Sequence, residues 1–191
     1  MNWGEIQIES LKKMFLNNDD LSIDKLNEYR ESKKYKTYLF AMPQACNEAI
    51  NYICNLEPVI KSYELTVEKE RYDLKELIED FKCIENIISN KKWNMETDSI
   101  LKIDTTAGNI IIYYEAYPTL IDFESTEETK LNINKECVRY IPLYIAGELY
   151  KDDDLTLSTV YMNEFMTNIN LLTGRTKNVV NNSIKPTYTI D

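Results

Sequence analysis

Residues 38–67 read YLFAMPQACNEAINYICNLEPVIKSYELTV, and the period of their apolar positions changes at Pro58. Before it, Leu39, Met42, Cys46, Ala49, Ile50, Ile53 and Leu56 recur every three or four residues, the spacing that lines one face of an α-helix. After it, Ser62 to Val67 alternates and is rich in residues that suit a pleated surface. A long core helix therefore gives way to strands. Pro43 falls inside the helical run, which predicts a kink there or a fresh helix start with Pro43 in its first turn.

Toward the N-terminus, Trp3, Ile6, Leu11, Met14 and Phe15 approximate a helical stripe that Asn17-Asn18-Asp19-Asp20 breaks. Ser22 can cap a short surface helix carrying Ile23, Leu26 and Tyr29. Beyond Val67, residues 73–80 suit one or two helical turns, and Phe81, Cys83, Ile87 and Ile88 suit a strand. Ile100 to Asp104 and Asn109 to Tyr114 are β-prone runs separated by Thr105 to Gly108, which predicts a hairpin with glycine supplying a positive φ. An acidic connection, 122–130, follows.

The last third returns to helical spacing. Cys137, Ile141, Ile145 and Leu149 lie four apart, with Pro142 predicting a bend. After Lys151-Asp152-Asp153-Asp154, a second run of Leu157, Tyr161, Phe165, Ile169 and Leu172 predicts an antiparallel partner helix. The fold class read from this pattern is α+β: a helical bundle built from N- and C-terminal helices, with an inserted antiparallel β segment. The expected boundaries are a single domain over 1–172, with helices over about 1–57 and 135–172 and the β insertion over about 60–131. Residues 173–191 form an extended C-terminal tail.

Composition narrows the function. The 191 residues contain no histidine, which removes Ser-His, Cys-His and His-metal mechanisms together. With 22 basic against 32 acidic residues the chain is at net -10, the wrong sign for gripping nucleic acid through its phosphates. The apolar runs are too short to cross a bilayer and the N-terminus has no secretory pattern, so neither a membrane nor an export route is expected. Cys46, Cys54, Cys83 and Cys137 are scattered and read as reduced thiols.

Candidate chemistry is thin. Asp152-Asp153-Asp154 could hold a hard cation, but carboxylates ahead of a helix cap its free amides, and the run lacks the glycine and distal glutamate of a calcium loop. Pairs such as Glu79-Asp80 and Glu127-Glu128 resemble a glycosidase acid and base only by proximity, which 32 acids supply by chance. The four glycines are isolated, so no phosphate loop is present. No catalytic residue, cofactor or metal ligand is assigned, and a non-enzymatic protein is expected.

Two features point to interaction. Tyr113, Tyr114 and Tyr117, then Tyr140, Tyr144 and Tyr150, concentrate side chains that suit a partly wet interface as well as an ordinary core. The segment 173–191 carries three cations and one acid, net +2, against 19 cations and 31 acids, net -12, in residues 1–172. Its Arg175, Lys177, Val179, Val180, Ile184 and Tyr188 are the candidate assembly interface.

The stretches NIIIYYEAYP at 109–118 and YIPLYIAGELYKDDD at 140–154, with the acidic connection between them, resemble head-tail connector (adaptor) proteins of tailed bacteriophages of Gram-positive hosts. Asn47-Glu48-Ala49 and Tyr72-Asp73-Leu74 are similar to that group too. The resemblance implies a structural virion protein at the capsid vertex or neck, made in the host cytoplasm. It implies a homo-oligomeric ring of twelve copies below the portal protein, extending the DNA channel and meeting a neck stopper or tail-terminator protein. Contact with packaged DNA would be passive, since an acidic wall repels phosphate. The alternatives are an acidic DNA mimic that inhibits a DNA-binding protein and another neck or tail-completion protein.

Overall fold

Asn2 starts the first helix by a reciprocal cap: its side chain accepts from the Glu5 amide, and the Glu5 carboxylate accepts from the Asn2 amide, each at 2.9 Å. That helix, α1 (Trp3–Met14), is followed by a 3-10 turn (Ile23–Lys25), α2 (Leu26–Glu31) and α3 (Lys36–Leu56). The computed structural model describes residues 1–15, 21–104, 107–122 and 124–180, the side chains as far as Gly174. The fold is α+β. Two compact units emerge: Met1–Glu57 with Leu120–Asp191, and Pro58–Thr119.

In the first unit, α3 runs through Pro43 as one helix, burying Leu39, Met42, Cys46, Ala49, Ile50 and Ile53 as the spacing predicts. Against it pack α6 (Ile141–Leu149) and α7 (Leu155–Val180), with the short α5 (Lys135–Val138) ahead of them. Helices from both ends of the chain thus share one core. Pro142 does not bend a continuous helix. It occupies the first turn of α6, where its missing N–H has no intrahelical acceptor to lose. The α6–α7 pair is antiparallel, because Gly147 meets Ser158 and Met162 while Tyr144, earlier in α6, meets Phe165. A Cβ on Gly147 would lie 2.9 Å from Met162 Cγ, so the close approach depends on this glycine. Asp154 caps α7 by accepting from the Leu157 amide at 3.0 Å, which is the capping role expected of that acidic run.

The second unit holds two three-stranded antiparallel sheets. One has the order β1 (Val59–Thr66), β6 (Asn109–Ala116), β3 (Phe81–Ile88); the other β2 (Arg71–Asp73), β5 (Ile100–Ile103), β4 (Trp93–Met95). Their inner faces, among them Leu65, Phe81, Ile110 and Ile112 from one and Tyr72, Leu101 and Ile103 from the other, bury into a single cluster. A one-turn helix, α4 (Leu74–Leu77), contributes Leu74 to it.

Three expectations are corrected. Strands β5 and β6 do not form a hairpin; they lie in different sheets, each already flanked on both sides. Alternation in both runs marked them as strands but carries no information about the partner. Gly108, between them, does take a positive φ of 109°. The β unit closes at Thr119, not near residue 131, because 120–122 and 124–131 strap the helical unit. There the Trp3 and Gly4 amides donate to the carbonyls of Thr129 at 2.8 Å and Glu127 at 2.9 Å, filling orphan positions at the start of α1. Finally, α7 continues past Leu172 to Val180, so the segment placed in an extended tail begins as helix. Gly174 weakens a helix without terminating it.

Candidate interaction surface

Four tyrosines fasten the helical core. Tyr161 donates to the Lys13 carbonyl at 2.7 Å and Tyr150 to that of Met14, so two phenols satisfy the last carbonyls of α1. Tyr38 donates to Asp153 at 2.8 Å, and Tyr144 to Glu48 at 3.4 Å. In the β unit Tyr114 donates to Asp80 at 3.0 Å, beside Lys61. Burial, helped by the adjacent carboxylates, pushes Tyr114 and Tyr144 up to about 12. Of the tyrosines read as interface candidates, Tyr117 is the most open, with Tyr113 half-buried.

Cysteine chemistry is quiet. Cys46, Cys54 and Cys137 are buried free thiols, and burial raises Cys46 to about 12 and Cys137 to about 11. Cys83 is half-buried, and desolvation followed by the Glu115 carboxylate raises it too. Thiols held protonated in this way are poor nucleophiles and metal ligands. Among the described residues no cluster of three or more acidic or thiol side chains converges to hold a metal, and no helix is long and apolar enough to cross a membrane. The paired acids noted in the sequence are engaged separately: Asp80 with Lys61 and Tyr114, Glu127 with Arg30.

What the helical unit does offer is a groove. It runs along the N-terminal half of α3 between α1, α2 and the strap residues Asp122 and Ser125, with a volume of about 360 Å³. Trp3 and Leu39, almost wholly buried, form its floor with Pro43, and Phe40, 73% exposed, stands at its rim. Both signs of charge border it. Arg30 is 3.1 Å from Glu127, Lys36 is largely exposed, and the Asp122 pKa is lowered by the Ser125 hydroxyl, which donates to it at 2.8 Å. On the far side of Phe40 a second hollow of about 540 Å³ continues along α3 past Gln44 and Asn47. Each lies within the range of roughly 300–1,000 Å³ typical of ligand sites.

Gln7 lines this groove, is only 3% exposed, and its Oε1 is buried without a hydrogen-bond donor among the described residues. Such an acceptor costs about 1–3 kcal/mol unless a donor reaches it. The position was readable in principle. Trp3, Gln7, Ser10 and Met14 follow steps of four, three and four on the buried face of α1. Ser10 is satisfied internally, donating to the Ile6 carbonyl at 2.7 Å, whereas Gln7 Oε1 finds no donor among the described residues.

Comparison with known proteins finds no family model and no curated protein that matches this chain. The residues read from the sequence as an assembly interface fall at its C-terminal end. Arg175, Lys177, Val179 and Val180 are in the last turns of α7, where the backbone alone is described. Ile184 and Tyr188 lie outside the described residues. The groove brings together an entirely different set.

A smaller apolar patch sits on the β unit, where Ile88 and Ile111 are cross-strand partners with 54% and 37% of their surface exposed. It has no polar side chain in need of a partner comparable to Gln7.

Proposed function

We propose that this chain is a structural virion protein, a head-tail connector of a tailed bacteriophage that forms a ring below the portal and extends the DNA channel. The observation that carries the reading is the element order. A helical unit assembled from 1–57 and 120–191 is interrupted by a compact antiparallel β unit at 58–119, the plan the resembling family implies. The charge supports it, because residues 1–172 at net -12 would line a channel with like charge to DNA and let it slide.

A closed ring of one kind of subunit needs two different complementary surfaces on each copy. The groove beside α3 and the C-terminal segment are two such surfaces. The partners in this reading are further copies of the chain, the portal protein and a neck stopper or tail-terminator protein, with no cofactor and no catalysis. Imaging of the particle neck with this chain labelled tests it. A ring of label between the portal and the tail is the expected result; label confined to the tail tip, or particles free of the chain, would overturn it.

A further inference from the structure

We propose that the free edge of β1 pairs with β1 of a second copy of this chain, antiparallel about a twofold axis, joining two three-stranded sheets into one. The contact goes beyond the connector reading and does not depend on it.

The order β1-β6-β3 leaves two edges, and the fold treats them differently. On β3 the register breaks at Phe81/Cys83 and again at Ile84/Asn86, and Asn86 Oδ1 accepts from the outward Ile87 amide at 2.8 Å. Bulges and local caps of this kind blunt an edge. On β1, Val59–Thr66 pairs with Asn109–Ala116 without a break. The Val67 amide donates to the Gly108 carbonyl at 2.8 Å, which sets the phase of the ladder. Val59, Lys61, Tyr63 and Leu65 therefore bond β6, while Ile60, Ser62, Glu64 and Thr66 turn their N–H and C=O groups to the open side. Among the described residues none of these outward backbone groups has a hydrogen-bond partner.

A charged side chain overhanging the edge would deter a second strand, but the two on β1 reach the other way. The Lys61 ammonium donates to Asp80, beyond β6 and just before β3, and Glu64 accepts from Asn109 of β6 at 3.3 Å. The edge is left clear.

A copy of the same strand fits this edge in one register. With Ile60 of one copy facing Thr66 of the other, and Ser62 facing Glu64, every outward residue exchanges two hydrogen bonds with a counterpart. Tyr63 then faces Tyr63 on the axis and Lys61 faces Leu65, so no like charges stand directly opposite. Sliding by two residues one way sets Glu64 against Glu64; the other way sets Thr66 against Pro58, which has no N–H. A slip of one residue would turn the inner faces of the two sheets to opposite sides. An unrelated extended peptide could meet the hydrogen bonds, but it would lose chain entropy on ordering, whereas β1 is already held straight in its own sheet.

The full-length protein is followed over a dilution series by sedimentation and by residue-resolved amide exchange, in salt that screens the net -10 of each copy. The mass is expected to double as concentration rises. Exchange at Ile60, Ser62, Glu64 and Thr66 slows about tenfold with it, while Lys61, Tyr63 and Leu65 are protected at every concentration. In a mixture of isotopically heavy and light copies, an Hα–Hα Overhauser contact joins Tyr63 of one copy to Tyr63 of the other, as this register requires. Ser62→Pro removes one outward N–H at an edge position that tolerates proline, and it abolishes the doubling with an unchanged circular dichroism spectrum. The exchange pattern is read on the unaltered chain and decides the matter even if that variant misfolds. A single mass at every concentration, a dimer insensitive to Ser62→Pro, or added protection spread evenly along β1 or confined to another surface would each overturn the proposal. The particle enters none of these measurements: a chain missing from the neck leaves this contact standing, and a monomer in solution leaves the connector reading standing.

Discussion

Asn47 and Ile121 clasp each other through two hydrogen bonds: Asn47 Nδ2 donates to the Ile121 carbonyl, and the Ile121 amide donates to Asn47 Oδ1, both at 2.8 Å. A single side chain on α3 thereby satisfies both polar backbone groups of a residue 74 positions later and pins the strap to the helical unit. Asn47→Ala removes both bonds and leaves two part-buried backbone groups unpaired, an expected loss of about 1–3 kcal/mol. Asn47→Asp keeps the acceptor and loses the donor, so its urea midpoint should fall between those of the parent and the alanine variant.

Gly147→Ala is expected to destabilise the helical unit by about 1–3 kcal/mol, since the new Cβ meets Met162 Cγ at 2.9 Å and the Ser158 carbonyl at 3.2 Å. Pairing it with Met162→Ala makes room for the methyl group. A double-mutant cycle in urea should then show a coupling well above the roughly 0.3–0.5 kcal/mol of independent sites. Simple additivity would mean that the two helices do not meet at this glycine.

Asp80 is held below the ordinary carboxylate range, first by the Lys61 ammonium that donates to it and then by the Tyr114 hydroxyl, with burial opposing them. Its folded pKa lies under the unfolded value of about 3.9. The stability it contributes is therefore complete above that value and disappears as pH falls through the folded one. Lys61→Met should flatten the acid limb of the stability curve below about pH 5, followed as the thermal midpoint against pH.

At the other end of the scale the sign reverses. Cys46, Cys137, Tyr114 and Tyr144 are raised to between about 11 and about 12, while the unfolded chain releases these protons near 8.5 for thiols and 10 for phenols. Their stabilisation is full below the unfolded values and is lost as pH climbs through the folded ones. Tyrosinate absorbance and loss of helical circular dichroism should appear together above about pH 10. At neutral pH an alkylating agent should label Cys83 first, because Cys46, Cys54 and Cys137 are buried.

Where burial alone decides, the residues announced the fold. Leu39 to Leu56 shows its helical stripe because that face lies against other helices, and Tyr161, Phe165 and Ile169 do the same for α7. Alternation likewise identified Asn109 to Tyr114 as a strand. It could not say that Ile112 pairs with Tyr63 and Ile87, since register is a long-range choice among equally β-prone runs. The strap was illegible for a different reason: it is held by backbone carbonyls at Glu127 and Thr129 and by one asparagine, none of which leaves a periodic trace. Of the candidate site, Trp3 and Leu39 were read as core, but the exposed rim at Phe40 and the unsatisfied Gln7 are facts of three-dimensional placement. A glutamine on an apolar stripe was the one available signal.

The central strand of the larger sheet, β6, is also the last strand of its unit to leave the ribosome, while both of its partners, β1 and β3, are made first. The helices obey the same schedule, because α1 and α3 pack on α6, which begins only at Ile141. During synthesis the nascent chain therefore carries apolar faces that nothing yet covers until most of it has emerged, and pairings this distant in sequence form slowly. Expression at low temperature or with chaperones in excess should consequently raise the soluble yield more than any single surface substitution.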